Sequence, residues 1–156
     1  MDALPLPRPP LPLAAFRALR VKQWAKNGAL LAPLLFAKGI FAQGLALKAG
    51  LAVVSFSLLA SGVYVVNDWF DREKDRLHPE KRKRPIAAGH LGGGAAGAIV
   101  VLCWGASAAL AWHLGPSFSG VLGGYLALQV LYTGVLKRLV LLDIMAIALG
   151  FILRVV

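Results

Sequence analysis

The chain has 156 residues, 58% of them hydrophobic and only 15% charged, with a formal net charge of +10. Soluble domains carry about a quarter charged residues, so this composition, with a mean hydropathy of +0.70, excludes an ordinary soluble enzyme and reads as an integral membrane protein. The positive balance by itself would suit a nucleic-acid binder, but the basic residues fall where membrane topology places them, and no nucleic-acid partner is expected.

Residues 1–13 contain five prolines, each lacking an N–H donor and clashing with the preceding turn, and read as a disordered tail with no cleavable signal peptide. Residues 14–26 set Arg17, Arg20, Lys22 and Lys26 among Phe16, Leu19, Val21 and Trp24, a basic amphipathic segment suited to a headgroup surface. Apolar runs then predict five spans, at about 27–43, 46–66, 95–114, 118–136 and 139–156, using the ruler of about 20 residues per spanning helix. The first contains Pro33, which a membrane helix tolerates where neighbours satisfy the freed carbonyl. Gly92 to Gly94 reads as a flexible joint, Gly115-Pro116 as a break between spans, and Lys137-Arg138 as another. The single cysteine, Cys103, lies in an apolar run and reads as packing, without a disulfide framework or a multi-cysteine metal site. Trp24, Trp104 and Trp112 suit membrane anchoring or lipid contact.

Lys and Arg excess marks cytoplasmic loops. With the N-terminus inside, fourteen fall on the cytoplasmic side and only Lys38 and Lys48 outside. The expectation is therefore an all-α polytopic bundle in the plasma (inner) membrane, its 67–94 loop cytoplasmic. The last run carries Asp143 and Arg154, which should face protein or a water-filled cavity, and it stops at Val156 without a polar flank, as a cut end would.

Five of the seven carboxylates, Asp68, Asp71, Glu73, Asp75 and Glu80, lie within thirteen residues, and seven Lys and Arg lie between Arg72 and Arg84. A helix continuing from the second span would set Asp68, Asp71 and Asp75 at i, i+3 and i+7, on one face. Like charges so close repel, and a bound divalent cation is the general remedy. Oxygen ligands without nearby His or Cys favour a hard ion such as Mg²⁺, which takes one or two carboxylates and completes its shell with substrate phosphates. Asn67 offers an amide on the same rim, and the run Lys81-Arg-Lys-Arg84 offers cations for phosphate oxygens. The bland alternative is a solvated loop that only sets topology. Against it stand the helical spacing of the aspartates and the return to small apolar residues in Arg84-Pro-Ile-Ala-Ala-Gly89. His78, beside Pro79, reads as a surface or turn residue, and His90 and His113 as interfacial.

Asn67-Asp-x-x-Asp71-x-x-x-Asp75, with the basic residues and Arg84-Pro-Ile-Ala-Ala-Gly89 after it, resembles the first aspartate-rich motif of the UbiA superfamily of intramembrane prenyltransferases. Arg20-Val-Lys-Gln-Trp-Ala-Lys-Asn27, His78-Pro-x-Lys-Arg82 and Tyr132-Thr-Gly-Val-Leu-Lys137 are most similar to its decaprenyl-phosphate phosphoribosyltransferase branch. The resemblance runs from about Phe16 to the last residue and implies the first half of a ring of nine transmembrane helices, so 14–156 would be an incomplete domain of that kind. It implies transfer of 5-phosphoribose from phosphoribosyl diphosphate onto a polyprenyl phosphate, for arabinose precursors of the cell envelope. By the same resemblance Asp68, Asp71 and Asp75 would be catalytic and bind Mg²⁺ with the donor's diphosphate, and Asn67 would assist. Lys81, Arg82 and Arg84 would hold phosphate. Lys22 and Lys26 would meet the phosphate of the lipid acceptor, with snorkelling at a helix end as their alternative, and Tyr132 and Lys137 the far rim of the cavity. Two alternatives stay open: a prenyltransferase moving an isoprenoid chain from its diphosphate to an aromatic acceptor, and an inactive membrane fragment. A homo-oligomer is compatible with all of them.

Overall fold

The computed structural model of the chain describes residues 9–31 and 44–134. Every regular element among them is helical: α1 covers Leu11–Ala18, a 3₁₀ segment Val21–Leu31, α2 Leu45–Phe70, α3 Arg72–Leu77, a 3₁₀ turn Lys81–Lys83, α4 Gly93–Leu114 and α5 Pro116–Gly134. α2 and α4 are long and apolar enough to cross a membrane. Their 26 and 22 residues extend about 39 and about 33 Å, against a hydrocarbon core of about 30 Å. They coincide with the expected second and third spans, and α5 takes the place of the fourth. The expected first span lies mostly outside the described residues, and its described beginning, residues 27–31, is 3₁₀ helix. The expected fifth span, with Asp143 and Arg154, lies wholly outside them.

α2 is the central element, packed against α4, α5 and the 3₁₀ segment. Its faces are specified by serines, which let membrane helices approach closely and hydrogen-bond across them. Ser55 Oγ donates to the Ser107 carbonyl at 3.0 Å, and Ser107 Oγ returns a bond to the Ser55 carbonyl at 2.8 Å, tying α2 to α4. On another face Trp24 Nε1 donates to Ser61 Oγ at 3.0 Å and Asn27 Nδ2 to Ser57 Oγ at 3.0 Å. Residues three apart eclipse in a 3₁₀ helix, and residues four apart stack on an α-helix. The Trp24/Asn27 pair therefore matches the Ser57/Ser61 pair with the two segments running in opposite directions.

Trp104 sits against Gly62 so closely that a Cβ there would overlap the indole, and its Nε1 donates to the Leu59 carbonyl at 3.2 Å. Trp24 and Trp104 are therefore interhelical wedges, which corrects the expectation of lipid anchors; an indole N–H inside a bundle takes a protein acceptor. Trp112, 84% exposed, keeps the membrane-facing reading. Gly62→Ala is expected to destabilise the bundle by about 1–3 kcal/mol through overpacking, seen as a lower thermal unfolding midpoint in detergent.

Two boundaries differ from expectation. α1 begins at Leu11, inside the stretch expected to be irregular, because Pro12 falls in the first turn, where a missing N–H leaves no bond unmade. Gly93 and Gly94 form the first turn of α4 and are not a loose joint; a Cβ on Gly93 would meet the Trp69 ring, so the residue marks a close approach of α4 to α2. The 67–94 stretch is packed, as the small apolar residues after Arg84 suggest, with Ile86 and Leu91 buried against Ala14, Ala18, Val65 and Ala96. That small core places Arg84, directly before Pro85, at the end of α2.

Candidate functional site

α2 gives way to α3 at Asp71, whose backbone (φ −91°, ψ 2°) departs from the helix. The hydrogen-bond ladder nevertheless runs through: the Asp71 N–H donates to the Asn67 carbonyl and the Asp75 N–H to the Asp71 carbonyl, each at 2.9 Å. The near-helical course brings the aspartates to one end of the bundle, but they divide between two environments.

Asp68 and Asp75 are buried, with 4% and 3% exposure. Arg20 Nη2 lies 2.5 Å from Asp68 Oδ1, and Arg84 Nη1 reaches both Asp68 Oδ1 at 3.1 Å and Asp75 Oδ2 at 2.6 Å. The repulsion that suggested a cation for all three aspartates is thus answered, for two of them, by arginines. Arg20 has φ +52°, the only positive φ of a non-glycine among the described residues, and its guanidinium also lies 5.0 Å from the centre of the Tyr64 ring. Such backbone conformations persist where surrounding contacts over-determine them; here the contacts are an ion pair and a cation–π stack.

Asp71 and Asp75 instead line a cavity of about 750 Å³. Asn67, Lys74 and Lys81 share that edge, while Val63, Val66, Trp104, Leu126 and Val130 form an apolar wall. Gln129 and Thr133 of α5 lie between. Asp75 belongs to both environments, one oxygen on Arg84 and its residue on the cavity edge. Thr133 Oγ1 lies 2.6 Å from Asn67 Oδ1 and 2.8 Å from the Gln129 carbonyl. One hydroxyl proton cannot serve two acceptors. Turning the Asn67 amide resolves the conflict: Nδ2 donates to Thr133, Thr133 donates to Gln129, and the Asn67 carbonyl oxygen is released from Thr133.

Of the residues expected at the site, Asn67, Asp71, Asp75 and Lys81 meet at the cavity. Asp68 does not line it, and Arg84, expected to hold phosphate, is engaged by two carboxylates. Arg82, Lys22 and Lys26 are exposed and outside the cavity lining. Lys137 and the Tyr132 side chain lie outside the described residues. His78 is a turn residue as expected, its Nδ1 accepting the N–H groups of Glu80 at 3.3 Å and Lys81 at 3.4 Å. The residues missed are Arg20 as the partner of Asp68, Lys74, and the Gln129/Thr133 pair. No three His, Cys, Asp or Glu side chains converge into a metal cage among the described residues. The donor set fits a hard cation only in the form that uses one or two carboxylates and completes its shell with substrate oxygens.

Fold and site together define a helical membrane protein whose oxygen-rich, lysine-flanked cavity opens where a spanning helix ends. Residues 28–156 match the UbiA prenyltransferase family. The chain is 37% identical over 161 residues to the decaprenyl-phosphate phosphoribosyltransferase of Mycolicibacterium smegmatis, covering 99% of this chain and 51% of that protein. It is 41% identical over 153 residues to the protein of the same name from Corynebacterium glutamicum, covering 94% and 46%. Nodulation protein NoeC of Azorhizobium caulinodans is 34% identical over 140 residues, covering 88% and 45%. The chain belongs to the UbiA prenyltransferase family, and it spans about half the length of the phosphoribosyltransferases it matches.

Proposed function

We propose that this chain carries the diphosphate-binding site of a transferase that moves 5-phosphoribose from phosphoribosyl diphosphate to a polyprenyl phosphate such as decaprenyl phosphate. The product would feed cell-envelope arabinose precursors. The observation that carries the reading is the convergence of Asn67, Asp71, Asp75, Lys74 and Lys81 on one edge of the cavity; the names of the relatives favour the phosphoribosyl donor. Asp71, Asp75 and the Asn67 carbonyl would hold Mg²⁺ against the donor. When bound, that ion would neutralise charge on the diphosphate as it leaves.

The chain's own residues supply the rest. Lys74 and Lys81 set point charges against diphosphate oxygens. Arg84 holds Asp75 in place while Asp75 faces the cavity, and the buried core behind it keeps Arg84 from swinging out. An oxygen of the lipid phosphate attacks C1 of the ribose, the C1–O bond to diphosphate breaks, and the electron pair leaves with the diphosphate. The exposed basic residues Lys22 and Lys26 would meet the acceptor's phosphate at the membrane surface, and Arg82 would add positive potential outside the cavity. Orientation with the N-terminus and the 67–94 stretch cytoplasmic follows from the distribution of Lys and Arg. The apolar wall favours a second reading, an isoprenoid donor with an aromatic acceptor.

Membranes containing the chain, given labelled phosphoribosyl diphosphate and polyprenyl phosphate, are expected to transfer label to lipid, and Asp71→Ala to abolish the transfer. Equal label from both proteins would end the proposal. Transfer from a labelled prenyl diphosphate to an aromatic acceptor instead would establish the second reading.

A further inference from the structure

The cavity changes character along its depth. At the mouth stand Asp71, Asp75 and the two lysines. Asn67 lies one helical turn deeper on α2, hydrogen-bonded to Thr133, and Gln129 lies one turn deeper again on α5. Beyond Gln129 the walls are Leu126, Val63 and Trp104. Phe70, Val66 and Val130 also line these levels, so a molecule whose diphosphate is held at the mouth presents its next chemical group to a lining in which Asn67, Gln129 and Thr133 supply the polar groups.

We infer that Gln129 and Thr133, with Asn67, form the subsite for the hydroxylated sugar of the donor, and that this polar patch rather than the aspartates sets the choice of donor. The inference rests on the proposed function, which places a diphosphate at the mouth. The aspartates cannot discriminate, since a sugar diphosphate and a prenyl diphosphate present the same leaving group. The patch can. Ribose hydroxyls both donate and accept: the Gln129 amide can answer either way, the second N–H of Asn67 is left to donate, and the Thr133 oxygen keeps a lone pair to accept. A prenyl chain would put methylene groups there and strip these groups of water without replacing their hydrogen bonds, which is the usual basis of strong discrimination against an analogue lacking a hydroxyl. The cavity volume of about 750 Å³ lies within the range of small-molecule sites.

The test uses the full chain in lipid nanodiscs with Mg²⁺. Binding of labelled phosphoribosyl diphosphate is measured directly, and inorganic diphosphate and geranyl diphosphate are measured by competition. The variant Gln129→Leu keeps side-chain size, removes the polar atoms and leaves the Thr133–Asn67 hydrogen bond in place. It is expected to weaken phosphoribosyl diphosphate about fivefold, as one ordinary hydrogen bond would, to tighten geranyl diphosphate, and to leave inorganic diphosphate unchanged. Retained binding of inorganic diphosphate also shows that the variant is folded. Unchanged phosphoribosyl diphosphate affinity would overturn the inference alone, and so would a parallel loss of inorganic diphosphate. An unsubstituted chain that binds neither phosphoribosyl nor inorganic diphosphate would overturn the proposed function beneath it.

Discussion

Replacing Arg84 with alanine is expected to destabilise the bundle by about 3 kcal/mol, the lower end of the range for removing one partner of a buried ion pair, because Arg84 is itself partly exposed. Its side chain is 30% exposed, against 5% for Asp68 and 4% for Asp75. The two carboxylates do not suffer equally. Asp68 keeps Arg20, whereas Asp75 loses the one ion pair described for it. Arg84→Lys should recover only part of the loss: one nitrogen, Nη1, meets both carboxylates, but a lysine ammonium is more strongly hydrated than a guanidinium and costs more to hold between two buried groups. Adding Asp75→Asn to Arg84→Ala should recover more, because it removes the stranded charge. Scanning fluorimetry in detergent would read the effect as a fall of about 6–12 °C in the midpoint, using the usual scaling for a chain of this size. An unchanged midpoint would mean that the arginine network is not structural.

The second large effect separates aspartates that the sequence presents as equivalents. Asp71→Asn is expected to raise the Mg²⁺ concentration needed for diphosphate binding by about 100-fold or more, whereas Asp68→Asn should raise it about tenfold, the low end of the scale for an outer partner that only orients a ligand. The reason is placement. Asp71 lines the cavity, and Asp68 reaches it only through Arg84 and Asp75. Asp68→Asn should instead lower thermal stability and free Arg20, whose left-handed backbone would lose one of its two anchors. Titrating Mg²⁺ at fixed diphosphate for both variants checks the contrast. Equal shifts would return Asp68 to the set of metal ligands.

What the sequence made legible is what stands out from an apolar background. Charge confined to one stretch of a hydrophobic chain pointed to the candidate site, and the i, i+3, i+7 spacing brought its aspartates to one end of the bundle. The small apolar residues after Arg84 signalled packing, and they form a buried core with α1 and α4. The division of the aspartates was not legible, because it depends on partners far away in the chain. Arg20 lies 48 residues before Asp68 and Thr133 lies 66 after Asn67, and no periodic pattern encodes contacts at such separations. Arg20 could be counted toward topology but not placed. The tryptophans misled for a related reason: Trp24 and Trp104 have the composition of a membrane belt, and only the acceptors Ser61 and Leu59, with the missing Cβ of Gly62, show them to be interhelical. A glycine that admits an indole cannot be told from a flexible one until the neighbouring helix is in place.

The cavity edge at Asp71 and Asp75 is expected to gather a divalent cation together with a diphosphate. Mn²⁺ in place of Mg²⁺ makes this directly visible: electron paramagnetic resonance on the chain in nanodiscs counts free and bound ion as inorganic diphosphate is added. One Mn²⁺ bound per chain is expected in a ternary complex, absent without diphosphate and lost on Asp71→Asn. Mn²⁺ binding that ignores both diphosphate and Asp71, or no protein-bound Mn²⁺ at all, would contradict it.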